Sequence, residues 1–238
     1  MEWIDAHVHI GEDEGGVEAS LADVQQLFDE GHIDRAVVFC LDEVDGIPAG
    51  NDRVRAAVAE DDRLVGLFRL DPAVHDPEDV LAADWAAGVK LHPRSQDFGM
   101  QAVHDHLDAL AGTGTPVLVH TGGWSRRAHP EEVLEAAEIH GDVPFVLAHT
   151  LKGYYFHAPD GFKERLQQQE NAYLDLSLLV TPLGIEVLVE DLGADRLLFA
   201  SDYPYDHPLP QRQRVELADI SDAAAERIAG GNAERLFF

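Results

Sequence analysis

The sequence predicts a single α/β domain over residues 1–238, folded as a (β/α)8 TIM barrel with a parallel eight-stranded barrel and outer helices. Short apolar runs alternate eight times with segments of helical periodicity over 238 residues, which matches the strand count and size of such a barrel. Runs such as AVVF, VLV and LLFA are apolar at consecutive positions, which is typical of strands buried on both faces. An open doubly wound sheet usually has a glycine-rich phosphate-binding turn after its first strand, and nothing like GxGxxG follows Trp3–Val8.

The predicted strands are β-branched, apolar runs that end at turn or loop residues. They are Trp3–Val8, Arg35–Cys40, Leu64–Leu70, Gly88–His92, Pro116–His120, Val143–His149, Ala172–Leu178 and Arg196–Ser201. The predicted helices are Ala19–Glu30, Asn51–Glu60, Pro77–Ala86, Gln101–Ala111, Pro130–His140, Asp160–Gln168, Leu183–Asp191 and Asp222–Ala229. Ser20, Asn51 and Ser221 are residues of the kind that caps a helix N-terminus. No linker or repeat divides the chain, so we predict one domain.

The composition is strongly acidic, with 45 acidic against 17 basic residues and a formal net charge of −28. Such a surface repels phosphate groups, which argues against binding to nucleic acids or anionic membranes. No apolar run approaches the roughly 20 residues of a membrane span. The one cysteine, Cys40, and the acidic first residues argue against a disulfide framework and a signal peptide, so we expect a cytoplasmic protein.

Lysine is scarce among the basic residues. The chain has three lysines, Lys90, Lys152 and Lys163, and the other 14 of its 17 basic residues are arginines. Surface carboxylates in excess with few lysines are what a protein kept soluble in concentrated salt would show, because salt screens the self-repulsion. We therefore predict a halophilic source.

Polar residues stand at the C-terminal ends of five predicted strands. They are His7 and His9, Lys90 and His92, His120, His149, and Asp202. In a (β/α)8 barrel these ends open on the face where active sites are built. The two imidazoles of the His-x-His pair point to the same side of their strand and suit Zn²⁺ or a similar divalent ion.

Six segments together resemble one known family. The segments DAHVHIG, GVKLHP, LVHTG, LAHT, FASDYP and IAGGNAERLF occur in this order over nearly the whole chain. The pattern resembles the amidohydrolase superfamily, and within it the amidohydrolase-2 group of metal-dependent TIM-barrel hydrolases and decarboxylases.

This resemblance implies a metal-dependent enzyme. By it, His7, His9, His120 and Asp202 hold a catalytic divalent metal, for which we expect one Zn²⁺. Asp202 would also accept a proton from a metal-activated water, and His149 would act as an acid or base or polarise the substrate. We therefore predict a hydrolase that attacks a C–N or C–O bond of a small amide, cyclic amide or lactone.

Lys90 has two roles among members of the superfamily. In binuclear members the corresponding lysine is carbamylated and bridges a second metal, whereas in the amidohydrolase-2 group it more often stays unmodified near the substrate. We favour an unmodified, catalytic Lys90 and one metal, because a chain that otherwise uses arginine keeps a lysine here.

The residues expected to bind the substrate follow the ends of the strands. They are His92, Arg69, Arg94, Trp124, Tyr154 and Tyr203. Ser177 is interpreted as a filler residue. The remaining histidines are predicted to lie at the surface, at His32, His75, His104, His106, His129 and His140.

Three other functions stay open. The first is a non-oxidative decarboxylase of a small aromatic or unsaturated carboxylic acid, with Arg69 or Arg94 as the carboxylate anchor. A TatD-type nuclease would have a carboxylate in place of Lys90, and the charge of −28 opposes DNA binding. A non-catalytic metal-binding barrel would close its site with four ligands, without need of His149 or Lys90. The expected partners are a small-molecule substrate and a second copy of the chain in a homodimer, with no nucleic acid and no membrane.

Overall fold

The computed structural model of the chain describes residues 1–41, 44–122, 127, 129–150, 152, 154–159 and 161–238. In this part of the chain nine strands form one sheet: β1 Ile4–Glu12, β2 Glu18–Ala19, β3 Arg35–Cys40, β4 Leu64–Leu70, β5 Ala86–Leu91, β6 Val117–His120, β7 Phe145–Ala148, β8 Ala172–Asp175 and β9 Leu197–Leu198. The order is β2-β1-β3-β4-β5-β6-β7-β8-β9. Only the β1–β2 pair is antiparallel within this sheet, and every other pair is parallel.

The sheet is curled, and its first strand lies beside the segment that follows its last. The Ala6 amide donates a hydrogen bond to the Phe199 carbonyl at 3.0 Å. The Asp202 amide donates to the carbonyl of His7, also at 3.0 Å. The α/β class and the mostly parallel sheet predicted from the sequence are therefore confirmed.

The helices lie between the strands and after the last one. They are α1 Leu21–Gly31, α2 Ile47–Glu60, α3 Pro77–Ala82, α4 His104–Ala109, α5 Pro130–Ile139, α6 Phe162–Gln168, α7 Gly184–Leu192, α8 Pro208–Leu217, α9 Asp222–Glu226 and α10 Asn232–Phe237. Short 3-10 helices occur at Met100–Val103, Tyr155–His157 and Ala194–Arg196, and a π-helix at Arg227–Gly231. None of the described helices is long and apolar enough to cross a membrane.

Two differences between the predicted and the observed helices involve proline. The helix predicted to begin at Asn51 begins at Ile47, because a proline occupies its first turn, where no amide donor is needed. No helix was predicted between residues 202 and 221, a stretch rich in proline, yet α8 spans Pro208–Leu217. Its two prolines, Pro208 and Pro210, lie in the first turn, and the amide of Leu209 donates to Nδ1 of the capping residue His207 at 3.2 Å.

Apolar residues cover both faces of the sheet. On β3, Val37 and Phe39 belong to the cluster inside the curl, whereas Val38 belongs to the cluster under the helices. This alternation follows from the two-residue period of a strand. Ala233 and Phe237 of α10 pack into the inner cluster, so apolar side chains fill the curl.

Two histidines predicted at the surface are buried. His106 is 6% exposed and its Nε2 lies 2.9 Å from the carbonyl of His75. His140 is 8% exposed and its Nε2 lies 2.7 Å from Nδ1 of His104. The surface prediction was wrong for these two residues, because each ring has a polar partner that lies far from it in the sequence.

Candidate metal centre and active site

Three imidazole nitrogens approach one carboxylate oxygen of Asp202. Its Oδ1 lies 3.2 Å from Nε2 of His7, 3.2 Å from Nε2 of His9 and 3.8 Å from Nε2 of His149. All four residues are buried. They come from β1, from the residue after β7 and from the segment after β9, so the curl of the sheet is what brings them together.

The backbone turns sharply at two of these residues. His149 has a φ of 59° and Asp202 a φ of 72°, both in the left-handed region. The left-handed conformation costs a residue that has a Cβ roughly 1–2 kcal/mol. The parallel strand direction ends at each of these turns, and both side chains face the centre. Such strain is typical of functional sites.

The residues present fit a divalent metal ion. The ligand atoms of His7, His149 and Asp202 lie within 4.8 Å of one another. The Nε2 atom of His7 is buried and makes no aligned hydrogen bond to any described residue. Neutral imidazoles with a carboxylate are donors that ions such as Zn²⁺ and Mn²⁺ accept. The centre therefore has the chemistry and the spacing of a metal site.

The electrostatics of the centre keep most of its imidazoles neutral. Burial lowers the pKa of His9 to about 4 and that of His149 to about 3. Burial and the Lys90 charge also act to lower the pKa of His7, but the carboxylates of Asp175 and Asp202 outweigh them and raise it. For Asp202, burial acts to raise the pKa, and the bonds from the histidines overcome it and lower the pKa.

A second buried carboxylate, Asp175, contacts His7 and is linked to His149 through Ser177. Its Oδ2 lies 2.7 Å from Nδ1 of His7. Its Oδ1 accepts a hydrogen bond from Ser177 Oγ at 2.6 Å, and Ser177 Oγ lies 2.8 Å from Nδ1 of His149. Asp175 was not among the site residues predicted from the sequence. The signal was its position in the buried run AYLDLS, where a carboxylate needs a partner.

Lys90 lies fully buried on β5 beside the centre. Its Nζ is 4.4 Å from the ring centroid of Phe39. The Phe39 ring in turn contacts the imidazoles of His7 and His9, with centroid distances of 5.0 and 4.6 Å. The ammonium therefore lies close to the predicted metal ligands, and its charge acts to lower the pKa of both histidines.

His92 and His120 form a stacked pair at the edge of the centre. Their ring centroids are 3.9 Å apart with an interplanar angle of 21°. Burial is the main cause that holds the pKa of each ring well below its ordinary value, and the charge of a neighbouring histidine is the second cause. The His120 ring lies 4.8 Å from that of His149. The predicted role of His120 as a metal ligand stays a prediction.

A cavity of about 580 Å³ opens onto the centre. The described residues that line it are His9, Leu41, Arg69, His92, Arg94, Ser95, His120, Thr121, Gly122, His149, Lys152, Leu178, Asp202 and Tyr205. Three of them, Arg69, Arg94 and Lys152, are cationic, and Asp202 is the one acidic residue among these lining residues. In a chain with a net charge of −28, this lining favours an anionic ligand.

Two of the residues predicted to bind the substrate, Arg69 and Arg94, are cationic and line this cavity. Arg69 is 1% exposed, and its guanidinium donates to the Cys40 carbonyl at 2.9 Å and to Ser95 Oγ at 2.8 Å. Arg94 is exposed at the cavity wall. Arg69 is thus held in one orientation by the protein, and Arg94 lies where a ligand can reach it.

The predicted aromatic contacts lie elsewhere. The hydroxyl of Tyr154 donates to Glu131 at 3.0 Å, and Tyr203 pairs with Val8 through a backbone bridge, so neither lines the cavity. Tyr205 lines it instead, and its hydroxyl donates to Asp13 at 2.8 Å. Trp124 lies outside the described residues.

Several solved structures share this fold. The 5-carboxyvanillate decarboxylase from Sphingomonas paucimobilis is 16% identical with a TM-score of 0.73, covering 99% of this chain and 98% of its own. The 2,6-dihydroxybenzoate decarboxylase from Rhizobium is 15% identical with a TM-score of 0.74, covering 100% and 98%. A 5-carboxyvanillate decarboxylase from Novosphingobium aromaticivorans, solved with manganese and 4-hydroxy-3-methoxy-5-nitrobenzoic acid, is 14% identical with a TM-score of 0.77, covering 99% and 96%.

The sequence itself also matches a family model. No protein of curated function matches the chain. The model of the amidohydrolase family (amidohydrolase-2) matches residues 4–238, which is nearly the whole sequence. The resemblance inferred from the six segments is thereby confirmed: the chain belongs to the amidohydrolase family.

Proposed function

We propose that the protein is a metal-dependent decarboxylase that releases CO₂ from a small aromatic carboxylic acid without oxidation. The observation that carries this proposal is the cationic lining of the cavity beside a His/Asp centre, in a chain that is otherwise strongly acidic. A carboxylate substrate fits such a lining better than a neutral amide or lactone does. The decarboxylases among the similar structures support the same choice.

The predicted ligands would hold a single divalent ion at the centre. His7, His9 and Asp202 already converge there, and His120 lies at its edge. A bound ion would supply a Lewis acid for substrate oxygens. Zn²⁺ was expected from the sequence, whereas manganese is the ion named with structures of the Novosphingobium decarboxylase, so the experiment below uses both.

The chain's own residues supply orientation and protons. Arg94 and Lys152 would pair with the carboxylate of the substrate at the cavity wall, with Arg69 fixed behind them. When the bond between the ring carbon and the carboxylate breaks, its electron pair stays on the ring carbon and takes up a proton. His9, His149 and Asp202 are the titratable residues that both lie at the centre and line the cavity. We assign the transfer of that proton to His149 or Asp202, the two residues to which the family resemblance gives an acid–base role.

We further infer that the curled sheet closes as the predicted (β/α)8 barrel. The support is the set of backbone hydrogen bonds between β1 and residues 199–203, with a parallel bridge between Val8 and Tyr203. Closure places all the polar strand ends around one mouth, where the cavity opens.

The experiment is a paired substrate panel. Protein loaded with Mn²⁺ or Zn²⁺ is incubated with mono- and dihydroxybenzoic acids, with the matching benzamides and with aromatic lactones, and products are identified by mass spectrometry. We expect loss of CO₂ from at least one acid, abolished by a chelator and in D202A, and kept in D142A, which changes an exposed aspartate before β7. Cleavage of amides or lactones with every acid intact would overturn the proposal in favour of the hydrolase.

A further inference from the structure

His7 and His149 are both linked to the buried carboxylate of Asp175 through their Nδ1 atoms. His7 contacts Asp175 directly through Nδ1, at 2.7 Å. His149 contacts it through Ser177, with 2.8 Å from Nδ1 to the hydroxyl and 2.6 Å from the hydroxyl to Asp175 Oδ1. All four side chains are buried, and Asp175 and Ser177 are 0% exposed. Solvent therefore does not set the proton positions in this network.

The positions of the protons follow from donor and acceptor capacity. An ionised carboxylate can only accept, so Nδ1 of His7 has to carry a proton toward Asp175. The single hydroxyl proton of Ser177 points to Asp175 Oδ1, which also accepts the backbone amide of His149 at 3.2 Å. Ser177 Oγ is then left as an acceptor, so Nδ1 of His149 has to be its donor.

We propose that Asp175, with Ser177 as its relay, is a positioning residue that fixes both His7 and His149 as Nδ1–H tautomers. Each Nε2 then presents a lone pair to the point beside Asp202, where the metal would be held. The proposal rests on the metal centre of the proposed function, and it does not depend on which reaction the centre performs. Carboxylates that orient metal-binding histidines in this way raise the affinity for the metal.

The assignment also changes what His149 can do. A neutral Nδ1–H imidazole has no proton on the nitrogen that faces the cavity. In this state His149 is a proton acceptor or a metal ligand, and it can pass a proton to the ring carbon only after it has first taken one up at Nε2. From the sequence, the choice between acid and base at His149 stayed open.

The first test is spectroscopic and uses the metal-free protein. Long-range ¹H–¹⁵N spectra of protein labelled with ¹⁵N-histidine, in alkaline buffer where the imidazoles are neutral, distinguish the two tautomers of each ring. Spectra of H7Q and H149Q identify the two signals. We expect both rings as Nδ1–H tautomers. An Nε2–H tautomer at either ring in the unmodified protein overturns the proposal, whatever the enzyme's activity.

Three variants separate positioning from simple structural support. In D175N the amide oxygen stays with its two donors, so the amide NH₂ faces His7, whose ring has to switch to Nε2–H while His149 keeps its tautomer. In S177A only His149 loses its partner, so only its signal changes. The control is D5N, because Asp5 is equally buried beside His7 but accepts from the backbone amides of His7 and Ser201. Both tautomers should be unchanged in D5N.

Metal affinity supplies a second readout. Competition with a chelating dye should show Mn²⁺ or Zn²⁺ binding about 10–100-fold weaker in D175N than in D5N, which is the usual effect of losing an outer carboxylate partner. Equal affinities in the two variants, or unchanged histidine signals in folded D175N, would overturn the proposal. If D175N fails to fold, the unmodified protein and S177A still decide it.

Discussion

The side-chain amide of Asn51 makes two hydrogen bonds to the backbone of Arg69. Its Nδ2 donates to the Arg69 carbonyl at 2.9 Å, and the Arg69 amide donates to its Oδ1 at 2.8 Å. Asn51 is buried within α2, where asparagine is a poor helix former, and Arg69 lies near the end of β4. The contact therefore fixes the strand end from which a cavity-lining cation extends.

We predict that N51A unfolds more easily than the unmodified protein. The substitution leaves a buried amide and a buried carbonyl of Arg69 without their partner, at a cost of about 1–3 kcal/mol. Urea unfolding measures the difference. D52A, which changes the exposed neighbour on the same helix, should stay within about 0.5 kcal/mol. An N51A midpoint equal to that of D52A would contradict the prediction.

Divalent metal should stabilise the fold through the centre. A ligand that binds only the native state adds about 2.7 kcal/mol at a concentration 100 times its Kd. We therefore expect the Tm of the chelator-treated protein to rise with added Mn²⁺ or Zn²⁺ in a concentration-dependent way. D202A should lose this rise, because the oxygen approached by three imidazoles is removed, whereas D142A should keep it. A full rise in D202A would place the metal elsewhere.

The sequence was sufficient to predict the site residues at the strand ends, and it was insufficient to predict the buried carboxylate that contacts them. His7, His9, His149 and Asp202 could be identified because each ends an apolar run, and parallel strands bring such ends together. Asp175 was not assigned, because the strand was predicted to continue to Leu178, whereas β8 ends at Asp175. The sequence therefore did not show that Asp175 stands at a strand end.

Local geometry explains the other differences. Tyr205 lines the cavity where Tyr203 was expected, because the left-handed turn at Asp202 changes the direction of the chain that follows it. Asn51 was expected as a helix cap, and it lies inside the helix because its amide binds a neighbouring strand. The same residue type suits both positions, and only the packing of α2 on β4 decides between them.

Gly122 should be required for the position of His149. Its φ is 104°, and a Cβ there would lie 3.2 Å from the His149 carbonyl oxygen and 3.3 Å from its Cβ. We predict that G122A loses about 1–2 kcal/mol of stability through backbone strain and also binds Mn²⁺ or Zn²⁺ more weakly, because His149 is displaced. Urea unfolding and chelator competition measure the two effects.

Gly112 provides the matched control for this substitution. It has a φ of 73°, and a Cβ there would meet nothing within 4 Å. G112A should therefore lose a similar amount of stability and keep the metal affinity of the unmodified protein. If G122A and G112A bound metal equally well, contact between Gly122 and His149 would have no role in the centre.

Asp61 should make part of the stability depend on pH in acid. Its carboxylate accepts from Arg63 Nε at 2.9 Å and from Gln25 at 3.1 Å, and the Arg63 bonds hold the pKa of Asp61 below its ordinary value. A group whose pKa is lower in the folded state stabilises it above the unfolded pKa of about 3.9, and this contribution is lost as the pH falls toward the folded pKa. The urea midpoint of the unmodified protein should therefore exceed that of D61N near neutrality, and the difference should shrink as the pH falls below about 4. E60Q, which changes an exposed neighbour, should show no such pH-dependent difference.

Molar salt should stabilise the protein. Among the described acidic residues only Asp5, Asp61, Asp175 and Asp202 are buried, so the other described carboxylates lie at least partly at the surface. Their mutual repulsion acts against the compact state, and it is screened when the Debye length falls to about 3 Å at 1 M salt. We expect the Tm to rise between dilute buffer and molar KCl.

The same measurement on a less acidic variant separates charge screening from a general salt effect. Glu14, Glu18 and Asp62 are exposed, and their change to Gln, Gln and Asn removes three negative charges from the surface. Because repulsion grows with the density of like charge, this variant should have a higher Tm in dilute buffer and a smaller rise in KCl. A higher Tm without molar salt than with it would contradict the halophilic interpretation of the composition. An equal rise in the variant would show that the salt acts on apolar burial, which chloride salts affect whatever the surface charge.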